Sequence, residues 1–173
     1  MNTPAYIAIK EDNGNIKAIY NHNNGFFKNL GYYLCAYYDT KEKVDQLINL
    51  GSIKSIGENP EPTKAVSLYG MNYKDNPEFL KSNLKVKLYL LNTKDFVIED
   101  IDKKKGTIAY HRDNGDDLVI EKFDNEVEYL KFLRNKKDIK YAYIFNKDRW
   151  YAINLKNPYN YFTEINKDEV YSI

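Results

Sequence analysis

AYIAIKEDNGNIKAIY, residues 5–20, is the stretch on which the fold turns. Ala5 to Lys10 alternates apolar and polar positions, Asp12-Asn13-Gly14-Asn15 supplies turn chemistry, and Ile16 to Tyr20 resumes the strand, so the pattern predicts a β-hairpin. A second hairpin is written near the other end, with Tyr141 to Phe145, a turn at Asn146-Lys147-Asp148-Arg149, and Trp150 to Asn154. Between them, Phe27, Leu30, Leu34 and Tyr38 recur at helical spacing within Phe26 to Tyr38. Thr40 reads as the N-cap of a helix from Lys41 to Leu50, with Gly51 as its stop. Asp124 reads as the cap of a third helix from Asn125 to Lys136, with Val127, Leu130 and Leu133 as its apolar stripe. Short extended runs are expected at Ser52 to Gly57, Val66 to Tyr69, Leu84 to Leu91, Phe96 to Ile98, Thr107 to His111 and Leu118 to Phe123, with one helical turn at Pro77 to Leu80. The expected class is α+β: a mostly antiparallel sheet, two or three helices packed on one face, and a strand-rich middle insertion.

The chain has 173 residues, 43% of them apolar and 15% aromatic, which suits a single domain over 1–173 with a real core. Two prolines in Glu58-Asn59-Pro60-Glu61-Pro62 mark the start of an expected insertion or small subdomain, residues 58–105. Lys and Arg total 26 against 25 Asp and Glu, a net charge of +1 that excludes a protein coating nucleic acid by bulk charge and an acidic imitation of DNA. No apolar run approaches the roughly 18 residues of a membrane span. The opening MNTPAYIAIKEDNG has no signal-peptide core, so a cytoplasmic protein without membrane partners is expected. Cys35 is the one cysteine, which excludes an internal disulfide and a cysteine zinc site; its apolar neighbours predict a buried thiol.

His22 and His111 each follow an expected strand, where sites collect. If they lined one cleft with Asp113, imidazole and carboxylate would provide a base and an acid, and Arg112 would contact a phosphate. The plainer reading makes both histidines strand-end residues held by hydrogen bonds or exposed to water. Asp113, Asp116, Asp117 and Glu121 lack the spacing of a calcium loop and read as a solvated turn, so neither a metal nor a cofactor is expected. The triplet His111-Arg112-Asp113 imitates the kinase catalytic loop, but no glycine-rich loop or Asp-Phe-Gly accompanies it. Seventeen tyrosines allow a stacking platform for single-stranded RNA or, with exposed Asn, a protein-binding surface. Tyr32, Tyr37, Tyr143, Trp150, Tyr159 and Tyr161 are the candidates for partner contact.

Four landmarks, IAIKEDNGNIKAIYNH with Gly25, KVDQLINLGSIKSIG, TIAYHRDNGDD and YAYIFNKDRWYAI, occur in an order that resembles a family of small bacteriophage and prophage proteins. The chain departs from the family pattern at Asn21, Asn23, Asn24 and Phe26-Phe27, and keeps Tyr110, His111, Arg112, Asp113 and Gly115. The resemblance implies a phage accessory protein in the host bacterial cytoplasm. The expected function is binding and inhibition of a host defence protein, a CRISPR nuclease complex above all, by occlusion and with only indirect or weak contact with nucleic acid. The alternatives are a small enzyme or nucleotide-binding protein using His22, His111, Arg112 and Asp113, and a module for single-stranded RNA.

Overall fold

The computed structural model describes residues 2–82 and 106–170. Ala5–Lys10 (β1) and Ile16–Asn21 (β2) form the expected hairpin, closed where the Glu11 N–H donates to Asn15 O at 2.8 Å and Gly14 takes φ +89°. Phe27–Gly31 is a π-helical turn that runs into Tyr32–Tyr37 (α1), and Leu30, Leu34 and Tyr38 bury the expected stripe. Lys41–Ile48 (α2) begins where Thr40 Oγ1 accepts from Lys43 N–H at 3.3 Å, and it buries Val44, Leu47 and Ile48. Ile53–Ser55 (β3) follows.

Three expectations in the middle of the chain change. Val66 to Tyr69 is not a strand: Lys64–Tyr69 (α3) is helical, because Thr63 Oγ1 accepts from Val66 N–H at 3.3 Å and Gly70, at φ +84°, stops the turn. A 3₁₀ turn at Tyr73–Asp75 leads to Pro77–Ser82 (α4), the expected helical turn. The strands expected at 84–91 and 96–98 lie outside the described residues. Ile108–Ala109 (β4) is shorter than expected, since Asp113 Oδ2 accepts from Ala109 N–H at 2.7 Å and winds Tyr110–Asn114 (α5) into a helical turn. Glu121–Phe123 (β5) is the second half of the run expected from Leu118.

Glu126–Arg134 (α6) is capped by Asn125, whose Oδ1 accepts from Glu128 N–H at 3.0 Å, and not by Asp124. Its buried side is Tyr129 and Leu133, while Val127 is exposed, so the apolar stripe is rotated from the expected one. Tyr141–Asn146 (β6) and Arg149–Asn154 (β7) form the second hairpin. Lys147 and Asp148 at its tip both have positive φ, 49° and 65°, as a type I′ turn requires. Thr163–Ile165 (β8) completes the sheet.

The strand order is β4-β3-β2-β1-β6-β7-β8, with β5 also on β2. The class is α+β, as expected, and the sheet is mixed: the two hairpins meet through a parallel β1–β6 pair, and β2 meets β3 in parallel at Asn21 and Ile53. Helices cover both faces, not one. Ala5, Ile7 and Ile9 pack with α1 and α2 residues, and Tyr6 and Ala8 pack with Tyr129 and Leu133 of α6. Successive side chains of a strand point to opposite faces, so a central strand buried on both sides needs a cover on each. The described part of the middle segment gathers its own small cluster from Ala65, Val66, Tyr73 and Phe79. Its two ends meet at a bridge between Asn59 and Gly106. No helix among the described residues is long and apolar enough to cross a membrane.

Candidate protein-binding groove

The charged motif bonds to the protein's own backbone and to itself, although His111 and Arg112 remain exposed at the surface. Arg112 donates from Nε to Asp113 Oδ1 at 2.8 Å and from Nη2 to Asp113 Oδ2 at 3.0 Å. The same guanidinium donates to Pro60 O and to Thr107 O, both at 2.6 Å. Asp113, its side chain 5% exposed, also accepts from the Ala109 backbone. Arg112 therefore clamps the entry of the middle segment to β4 and α5, and its planar fork of donors is engaged by protein atoms. His111 Nδ1 lies 2.8 Å from Asp116 O, and His22 Nδ1 lies 2.9 Å from Tyr20 Oη. The two histidines leave the Asn21–Ile53–Ala109 row in opposite directions. His22 follows β2 toward Lys54, and Tyr110 turns back to donate to Ser52 O. No hydrogen bond or ring contact joins them among the described residues. Nor, among those residues, does any group of three or more His, Cys, Asp or Glu side chains stand ready for a metal ion.

The tyrosine candidates divide. Tyr143 and Trp150 are buried, with Tyr143 Oη donating to Gly25 O at 2.7 Å and Trp150 Nε1 to Tyr38 O at 2.7 Å, so neither offers a surface to a partner. An apolar core that must also satisfy two loop carbonyls explains why these residue types sit there. Tyr32 and Tyr37 are half-buried on α1; Tyr32 makes edge contacts with Tyr33 and Tyr37, and Tyr37 meets Tyr33 in a tilted pair. Desolvation and the Glu58 carboxylate raise the phenol pKa values of Tyr33 and Tyr37. Cys35 is half-buried and not buried as expected; its Sγ donates to Ile165 O at 3.7 Å, and burial pushes the thiol pKa up to about 12.

Tyr159 and Tyr161 are brought together, 94% and 54% exposed. They line a groove of about 460 Å³ beside β7 and β8, with Phe27, Asn154, Asn160 and Thr163. The loop that carries them is held from beneath. Arg134 of α6 donates to Leu155 O at 3.4 Å, to Asn157 O at 3.3 Å and to Asn160 O at 2.8 Å. Asn157 Oδ1 accepts from Tyr159 N–H at 2.9 Å, and Asn160 Nδ2 donates to Asn154 O at 3.0 Å. Tyr161 Oη donates to Glu126 at 2.9 Å, and Phe162 stacks on Tyr129 with ring centroids 5.9 Å apart. Exposed aromatic rings on a braced loop bind with little further ordering, the condition for a contact hot spot.

No family model, curated protein or solved structure matches this chain. The geometry of the groove therefore stands as the guide to function. Its charged lining residues are Glu164 and Glu169, and Glu164 is paired with Arg149 at the rim. Phe27, Asn160, Thr163 and Glu164 escaped the sequence reading. For Asn160 the available sequence signal is the run Asn157-Pro158-Tyr159-Asn160-Tyr161, where turn residues flank the rings and point to a loop.

Proposed function

We propose that the chain works by binding a protein and occluding its surface, with the Tyr159–Tyr161 groove as the contact. In line with the family resemblance, the partner is a host defence effector such as a CRISPR nuclease complex, met by a phage or prophage accessory protein in the bacterial cytoplasm. The observation that carries this reading is the pair of exposed rings on a loop pinned by Arg134. Rigid aromatic anchors are the composition of a protein contact. The groove lining includes no Lys or Arg among the described residues, so it offers the phosphates of RNA no cation. An enzymatic role for Arg112 would need its guanidinium free, whereas it holds Asp113, Pro60 and Thr107.

The test is capture from a nuclease-treated bacterial lysate with the wild-type chain and with the Tyr159→Ala/Tyr161→Ala variant. One stoichiometric protein retained by the wild type and lost by the variant, at an unchanged melting temperature, is the expected result. Equal retention by the variant, or a capture abolished by nuclease, would refute the reading.

A further inference from the structure

A second cavity, of about 360 Å³, opens where the ends of β2 and β3 meet the middle segment. Its walls are fixed. Asn23 N–H donates to Lys54 O at 3.0 Å, and Met71 N–H donates to Asp113 O at 3.3 Å. A Cβ on Gly106 would stand 2.5 Å from Thr63 N and 2.6 Å from Glu61 O, so only glycine lets the chain close so tightly behind the cavity. Asn23, Asn24, Lys54, Ser55 and Asn72 line it.

None of these five side chains makes a hydrogen bond or ion pair with the described residues. Elsewhere the chain uses asparagine to close local structure, as at Asn59, Asn76, Asn125 and Asn157, each of which accepts from a nearby backbone N–H. Along the cavity, by contrast, the side chains of Asn23, Asn24, Asn72 and Ser55 and of the half-buried Lys54 have no partner among the described residues. Asn24 is held at φ +56°, a conformation asparagine tolerates better than most residues.

We propose that this cavity binds a small phosphate-bearing molecule. Lys54 supplies the charge, and the Asn23, Asn24 and Asn72 amides and the Ser55 hydroxyl donate to the phosphate oxygens. Neutral donors from several directions suit an anion with acceptor oxygens on every side better than a flat carboxylate. The volume falls within the roughly 300–1,000 Å³ of small-molecule sites, which leaves room for more than the anion, and Asp75 on the lining can accept from a sugar hydroxyl. This site is separate from the Tyr159–Tyr161 groove and does not depend on the protein-binding reading.

The test is an amide NMR titration of the full chain at constant ionic strength with inorganic phosphate and, separately, with a ribonucleoside 5′-monophosphate. Saturable shifts centred on Asn24, Lys54 and Ser55 are expected, with affinity reduced at least tenfold in Lys54→Met and several-fold in Asn24→Gly. The glycine keeps the left-handed backbone, so it reports on the amide even if Lys54→Met fails to fold. Tighter binding of the nucleotide assigns the site to a phosphomonoester, and equal binding to the free ion. Shifts that do not saturate, unaltered affinity in both variants, or an equal loss in the exposed-lysine control Lys28→Gln would overturn the proposal.

Discussion

The Tyr110–Asn114 turn and the 155–165 segment differ in where their polar atoms end. The first carries His111, Arg112 and Asp113, the residues that most suggest chemistry, and although His111 and Arg112 are exposed, the polar atoms of all three are engaged by a backbone N–H, three backbone carbonyls and each other. The second reads as a ragged aromatic end, yet its backbone is satisfied from below by Arg134 and Asn157 while two tyrosine rings stand in solvent. A residue type with catalytic capability is useful to a ligand only if its donors are not already engaged by the fold. A plain residue is available to a partner when the fold engages what surrounds it and leaves its ring in solvent, as at Tyr159.

The sharpest way to break this contrast is Arg112→Ala. It would leave a carboxylate that is nearly buried without its cation and two carbonyls without their donor, and it is expected to lower stability by about 3 kcal/mol in urea denaturation. An unchanged urea midpoint would mean that the guanidinium is available to a ligand after all. A smaller effect tests the tyrosine core against the tyrosine surface. Burial raises the Tyr6 and Tyr38 phenol pKa values to about 12 and those of Tyr129 and Tyr143 well above the ordinary value. The neutral phenol is thus the form the fold prefers. Stability from these groups is complete below the unfolded pKa of about 10 and is lost as pH rises toward 12. Raising the pH from 8 to about 10 is expected to weaken the fold by about 1–2 kcal/mol, read as a falling urea midpoint. Arg134→Ala should act on the groove with the least effect on the fold, because it removes three bonds to loop carbonyls and leaves the buried face of α6 in place. Partner affinity is expected to fall about tenfold, roughly 1.4 kcal/mol, with a melting temperature close to wild type.

Local chemistry made much of the fold legible. Asn13-Gly14 marks one hairpin, Thr40 and Gly51 bracket α2, and alternation of Tyr141, Tyr143 and Phe145 identifies the face of β6 that meets α1. What escaped depends on distant partners. The parallel β1–β6 pair joins residues more than a hundred positions apart, and no local pattern announces it. Val66 and Tyr69 have strand propensity, but a cap at Thr63 and a left-handed Gly70 decide for helix over so short a run. The same holds for sites. Tyr143 and Tyr159 are one residue type in similarly aromatic surroundings, but Tyr143 sits on a central strand packed with Leu30 and Leu34, whereas Tyr159 lies on the loop after β7. Lys54 and Ser55 lie inside the KVDQLINLGSIKSIG landmark, where nothing marks them as ligand-binding residues, and their cavity exists only because the middle segment meets the ends of β2 and β3.

The central claim is that the fold uses the Arg112 turn for stability and the Tyr159–Tyr161 loop for binding. Its most direct test measures partner affinity and melting temperature for Arg112→Ala and Tyr159→Ala/Tyr161→Ala side by side. The expected result is a crossing: the arginine variant melts lower but binds normally wherever it is folded, and the tyrosine variant melts like wild type but loses at least tenfold in affinity. The reverse pattern, with binding lost at Arg112 and retained without the two tyrosines, would contradict it.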